Sequence, residues 1–393
     1  MTDDQAQAQA PADFSYTYSD NLPAILKHLN ISLAFTSYQA GRLMLVRTDG
    51  ESLDINFKEF PRPMGLTVVG DRLILGTFTQ IIHFQREDGL LSQIKQSLPD
   101  ISEDVTAPRL FNDQEAKEKD AQERADNAEY QRKLQPVDER ADACFITRSS
   151  HYTGMINIHD IEWGNTGLWA VNSSFSCLST IEPDYSFKPH WKPWFISELV
   201  PEDRCHLNGM TLRDGEPAFV TTFSQYNSKS EWRSGNRATG TLIDVKRNEV
   251  VVSGLFMPHS PRWHNGKVYF CNSGEGQVCV FDPTSGKHTV IAELQGFTRG
   301  IDIIDGLMFV GLSKMRQSDV ANPAALTQKY EETYSGIWLI NLDDHSVVGQ
   351  IRFQGNVDQI YDVALLNNTC FPELIEPDHP RMRNHFSHPG LPT

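Results

Sequence analysis

Residues 260–294 read SPRWHNGKVYFCNSGEGQVCVFDPTSGKHTVIAEL, and the fold follows from this unit. A short run reaches Asn265-Gly266, the pair that most readily takes the two positive φ angles of a tight hairpin. The chain returns through KVYFCN, turns at SGEG into QVCVFD, and turns again into HTVIAEL. Four short strands in succession, rich in β-branched and aromatic residues and joined by tight turns, are the content of one propeller blade.

The same order recurs outward from this unit. MGLTVVGDRLILGT (64–77) precedes QIIHF, HDIEWGNTGLWAVNS (159–173) precedes CLSTIEP, NGMTLRDGEPAFVTT (208–222) precedes GTLIDV, and RGIDIIDGLMFVGLS (299–313) precedes GIWLINL. The turns GD, NTG, RDGE and IDG again place Gly, Asn or Asp where positive φ is required. A sixth unit is split between the chain ends. IYDVALL (360–366) reads as an innermost strand without partners, while ISLAFTS, GRLMLVR and SLDINFKEF (31–60) read as strands lacking an innermost one. The pattern predicts an all-β fold, a six-bladed β-propeller closed by N-terminal strands pairing with a C-terminal strand, which removes exposed sheet edges. The competing reading is a large β-sandwich or a two-domain β protein.

The boundaries follow: a flexible lead-in over 1–29, one propeller over 30–370 and a C-terminal tail over 371–393. Residues 112–142 depart from β patterning, with ten acidic and six basic residues and almost no large apolar ones. They read as an exposed helix inserted between blades one and two, or as a partly disordered arm, with a lid over the pore or a protein contact as the functional alternative to a solvated helix.

The chain has 393 residues, with 35 Lys+Arg against 51 Asp+Glu and a net charge of −16. Nucleic acid and anionic membranes are bound chiefly through Lys and Arg on phosphate, so neither is expected as a partner. No apolar run is long enough for a membrane helix, and the N-terminus carries no secretory leader pattern. Six cysteines without a CxxC pair fit reduced thiols in the cytoplasm better than a disulfide frame or a zinc site. There is no GxSxG elbow, phosphate loop, HExxH or GxGxxG after a strand.

Inner strands line the axis of a propeller, and ligand sites form at the channel mouth. Aligning the inner strands on residues 65, 160, 209, 300 and 362 places Met64, His159, Asn208, Arg299 and Tyr361 at one level, with 259–262 serving the fourth blade. His159, His206 and His259 enter from successive blades and are candidates for acid/base chemistry or for ligating one divalent metal ion; the alternative for each is a hydrogen-bonding strut. Arg262 and Arg299, with Arg148, Arg204 and Arg233 on nearby loops, point to a small anion, since guanidinium matches carboxylate, phosphate or sulfate. Asn208 and Tyr361 would orient such a ligand, with Tyr361 grouped among the catalytic candidates. Trp263, with Trp191, Trp194 and Trp232, offers a stacking floor for a sugar or aromatic ligand or packs between blades. Asp160, Asp302 and Asp362 are expected to anchor neighbouring strands. Cys205 beside His206 is a poor nucleophile pair, because adjacent strand residues face opposite sides.

The segments SSHYTGMINIHDIEW, VNSSFSCLSTIEPDYSFKPHWKPWFISELVPEDRCHLNGMTL, MPHSPRWHNGKVYFCNSGEG and GFTRGIDIIDGLMFVGLSKMR resemble, in order and spacing from about residue 30 to 370, a bacterial family of conserved hypothetical proteins with a domain of unknown function. The resemblance implies one propeller in the bacterial cytoplasm and brings no activity. HLNGMT (206–211) before a DG turn also resembles, more distantly, the Pro-Asn-Gly strand of the gluconolactonase and strictosidine-synthase group, six-bladed propellers in which that Asn, here Asn208, binds a central divalent cation. That group adds a Glu and an Asp where this chain has Met64 and Ser260 or Arg299, so a calcium site would lose its charge. The resulting expectation is a small anionic or saccharide-like ligand at the pore, with His-mediated or metal-assisted hydrolase or lyase chemistry as its catalytic form. The alternative is a noncatalytic protein-interaction propeller.

Overall fold

A computed structural model describes residues 13–97, 122, 127–315, 325–383 and 385–388. Six antiparallel sheets surround an axis, each led by an innermost strand: Leu66–Val69, Ile158–Gly164, Leu207–Arg213, Pro258–His264, Phe297–Ile304 and Val363–Asn367 for blades one to six. The hairpins turn where the sequence requires, with positive φ at Asp214-Gly215, Asn265-Gly266 and Asp305-Gly306. Blade six is the split one. Its inner strand Val363–Asn367 pairs with Ile31–Ser37, Leu33 opposite Leu365, and Arg42–Thr48 and Leu53–Glu59 complete the sheet.

Two further strands strengthen the closure. Tyr16–Tyr18 adds antiparallel to the outer strand of blade five, and Pro372–Ile375 adds parallel to the outer strand of blade one. Within the expected lead-in, helix Leu22–Leu29 buries Leu22 and Leu26 against Leu33, Phe35 and Phe353. At the start of the expected tail, Glu373 is buried between Arg47 at 2.8 Å and Lys58 at 2.7 Å. Both ends therefore carry more structure than their polarity implied, because tertiary pairing supplies what local pattern lacks.

One boundary is corrected. The charged insertion lies inside blade one, not between blades one and two, because Ala143–Tyr152 beyond it pairs with Gln80–Arg86 as that blade's fourth strand. Its described part includes helix Ala128–Leu134; residues 98–121 and 123–126 lie outside the described residues.

The core sits between blades, as in the cluster of Leu43, Leu66, Leu73, Phe84 and Ala364 joining blades six and one. At the axis the inner strands cannot pair into a ladder, so their inward N–H groups need other acceptors. Side chains from the preceding blade supply them. Asp362 accepts from Leu66 N–H (3.0 Å), Asp160 from Met210 (3.0 Å), Thr211 from Trp263 (2.8 Å), Ser260 from Gly300 (2.9 Å) and Asp302 from Leu365 (2.8 Å). Asp160, Asp302 and Asp362 thus anchor neighbouring strands as the sequence implied. Close approach also demands glycine at 209, where a Cβ would lie 2.4 Å from Pro261.

Candidate functional site

The inner strands place one residue per blade at the channel mouth where they begin: Met64, His159, Asn208, His259, Arg299 and Tyr361. A second repeat locks this ring. Fourteen residues from three of these, His159, His259 and Arg299, a serine at or just past the end of the second strand donates its hydroxyl to the next blade: Ser173 to Leu207 O, Ser273 to Thr298 O (2.6 Å) and Ser313 to Ile360 O (2.8 Å). Those carbonyls belong to the residues just before Asn208, Arg299 and Tyr361.

The serines also fix the imidazoles. His159 Nδ1 lies 2.8 Å from Asn157 O and 2.7 Å from Ser173 Oγ; His259 Nδ1 lies 2.8 Å from both Met257 O and Ser273 Oγ. A carbonyl can only accept, and each serine proton is already donated onward, so Nδ1 must carry the hydrogen in both rings. Nε2 is then an acceptor. Burial, with the positive Arg299 guanidinium nearby, pushes both rings well below the ordinary imidazole range, so both are neutral.

His206 is held differently. Its Nδ1 faces Asp203 at 2.9 and 3.0 Å, and Trp232 Nε1 donates to the same carboxylate at 3.1 Å. The His206 ring rests on Trp232 (4.1 Å) and Phe223 (4.4 Å) and meets His159 edge-on at 4.6 Å. Tyr361 completes the cluster, 5.7 Å from His159 and 5.5 Å from the Arg299 guanidinium carbon; burial raises its hydroxyl well above the ordinary range, so it keeps its proton. Asn208 is 3% exposed, and its buried Nδ2 has no hydrogen-bond partner.

Below the ring, Arg262 crosses the axis from blade four. Its Nε donates to Ile301 O, Nη1 to Asp160 (2.9 Å) and Met210 O, and Nη2 to Asp160 (3.3 Å) and Asp362 (3.2 Å). Glu162 lies 3.6 Å away. All five N–H groups are donated to the protein, so Arg262 is corrected from anion holder to a plug joining its own blade four to blades two, three, five and six. Beyond it, at the opposite end of the channel, is a cavity of about 280 Å³ lined by Glu162, Trp163, Trp263, His264 and Asp302 among others. Trp263 belongs to this cavity, stacked on Phe219 at 6.1 Å, and not to the histidine mouth.

The structure therefore unites His159, His206, Asn208, His259, Arg299 and Tyr361, and separates Arg262 and Trp263 from them. Among the described residues no three His, Cys, Asp or Glu side chains converge on a metal position, which corrects the three-histidine metal site. Their Nδ1 atoms are taken by anchors on three separate loops, and the rings pack edge-on and face-on instead of aiming at one point. Arg204 is bound to Glu198 and Glu202, and Arg148 to Glu87. All six cysteines are free and buried, and burial pushes the Cys205 thiol up to about 12, against any nucleophilic role. Asp203, Ser173, Ser273 and Glu162 were missed. The serines had a signal, since His159 and His259 are each followed thirteen and fourteen residues later by Asn-Ser.

Fold and site together define a six-bladed propeller with polar chemistry at each end of a plugged channel. The chain belongs to the family described as "Domain of unknown function (DUF4915)", matched over residues 20–110 and 120–375. No curated protein matches the sequence. Among solved structures, a chain of "Crystal structure of Nidogen/Laminin Complex" is similar at 8% identity and TM-score 0.49, covering 86% of this chain and 100% of that one. Among the described residues no helix is long and apolar enough to cross a membrane.

Proposed function

We propose that this propeller binds a small hydroxylated carboxylate, a sugar acid in the broad sense, at the histidine mouth. The observation that carries the reading is the buried, unpartnered Asn208 Nδ2 set in one ring with two imidazoles whose Nε2 atoms are acceptors. A complementary ligand accepts from Asn208 and Arg299 and donates to His159 and His259. A carboxylate meets the first need and hydroxyls the second. Arg62, whose charge reaches His159 and Tyr361, adds to Arg299 in making this mouth positive on an acidic protein.

In the catalytic form of this reading His206, oriented by Asp203, transfers the proton, and Tyr361 donates a hydrogen bond. His159 and His259 orient the ligand. The free, buried thiols support a cytoplasmic setting. The test is a thermal-shift and calorimetric screen with D-gluconate, D-glucuronate, D-glucono-1,5-lactone and inorganic phosphate. At least one sugar acid should stabilise the protein, and Asn208→Ala and Arg299→Ala should each abolish the effect. Turnover of the lactone, lost in His206→Asn, would support catalysis. No stabilisation by any probe at millimolar concentration would sink the proposal and favour the noncatalytic interaction propeller.

A further inference from the structure

We infer a second ligand site at the opposite end of the channel, where the cavity behind Arg262 takes a small organic cation of the amine or amidine class. The argument begins with charge. Arg262 is the cation facing Asp160, Glu162, Asp302 and Asp362, so one guanidinium meets four carboxylates. Its donors are exhausted by Asp160, Asp362 and three backbone carbonyls, so Glu162 Oε1, 3.6 Å from Arg262 Nη1, is ion-paired with it but receives no hydrogen bond. Glu162 Oε2 accepts from Leu212 N–H at 3.2 Å, which fixes the carboxylate at the cavity floor. The floor therefore carries more carboxylates than its one guanidinium can neutralise.

The walls set the class and size. Trp163, Trp263, Val68, Ile161 and Ile303 supply the apolar part of a lining whose exposed surface is mostly polar, and Arg72 and Arg213 lie over the Trp163 and Trp263 rings at 5.4 and 5.2 Å. A volume of about 280 Å³, at roughly 30 Å³ per water, holds about nine waters, or a ligand of about ten heavy atoms. An ammonium or amidinium on a short carbon frame meets Glu162 with its charge and the indoles and aliphatic walls with its body.

Titration supports the same geometry. Glu162 faces Arg262 from blade four, Asp160 on its own strand and Asp362 from blade six; Asp302 and His264 are the other titratable groups of the lining. Burial pushes Glu162 up to about 8, so near neutrality a proton occupies the carboxylate that a cation would meet. Cation binding displaces a proton and tightens as pH rises from 7 to 9.

The experiment is isothermal titration of the full chain at pH 8.5 with agmatine, tyramine and 1,4-diaminobutane, with 1,4-butanediol as the neutral control. At least one cation should bind saturably, several-fold more weakly at pH 7 and at least tenfold more weakly to Glu162→Gln. Asn208→Ala should bind it unchanged, which separates this site from the histidine mouth. Val68→Lys, which puts a tethered ammonium at the cavity wall, should abolish binding and keeps the test open if Glu162→Gln fails to fold. The inference is overturned if no cation binds, if the diol binds equally well, or if Val68→Lys and every folded Glu162 variant bind as the parent does.

Discussion

The two ends of the channel are built from the same six strands and differ in almost every chemical respect. At the end where the strands begin, imidazoles, an amide, a phenol, two arginines and the Asp203 carboxylate make a mouth rich in fixed hydrogen-bonding groups. At the end where they finish, carboxylates and indoles make an acidic cavity. Arg262 stands between and belongs electrostatically to the second. A few residues along one strand are enough to change sign, because the side chains of a narrow channel see one another across the axis at low dielectric.

The plug is the place to break this comparison. Arg262→Met leaves Asp160 and Asp362 buried without their cation, and should destabilise the fold by about 3–5 kcal/mol in urea titration at pH 7.5. The loss should shrink as pH falls and Asp362, raised by burial to about 7, takes up a proton. A change below about 1 kcal/mol would show that the two ends are not joined by this residue.

Crossed variants test independence. Asn208→Ala should weaken the sugar-acid probe at least tenfold, about 1.4 kcal/mol, while leaving cation binding intact, and Glu162→Gln should do the reverse. Equal losses of both ligands in either variant would mean one coupled site.

The ends should also respond oppositely to pH. His159 and His259 titrate below their unfolded value, so the stability tied to their neutral forms is present above about 6.5 and lost as pH falls. Glu162 and Asp362 titrate above theirs, so their contribution is full below about 4 and lost as pH rises through about 7 to 8. Denaturation between pH 5 and 9 should show His159→Asn flattening the acid limb and Glu162→Gln the alkaline limb. A single shared limb would contradict the assignment.

The smallest effect belongs to the tautomer lock. Ser273→Ala removes the bond to Thr298 O and one of two acceptors of His259 Nδ1–H, and should cost about 1 kcal/mol. Nitrogen NMR should still find His259 protonated at Nδ1, since Met257 O remains; a switch to Nε2–H would show that the serine, not the carbonyl, sets the tautomer.

Much of this was legible beforehand. Asn-Gly and Asp-Gly turns mark the hairpins of blades three, four and five, and Ile31–Ser37 and Val363–Asn367 read as halves of one blade because each had the periodicity of a strand and lacked a partner. The ring of His159, Asn208, Arg299 and Tyr361 followed from aligning repeats. Arg262 misled because its residue type shows a charge and not its partners. Pro372–Ile375 was hidden in a polar tail, since a strand added parallel to an edge needs little hydrophobic pattern of its own.

By itself the sequence determined the blade, its repetition and the identity of one residue per blade at the axis, because turn chemistry and strand periodicity are local. Only the tertiary structure decided which end of the channel each residue serves, which nitrogen of each histidine carries its proton and where Arg262 places its five donors. Those depend on atoms from blades a hundred residues apart meeting across the axis, and no local pattern encodes that distance.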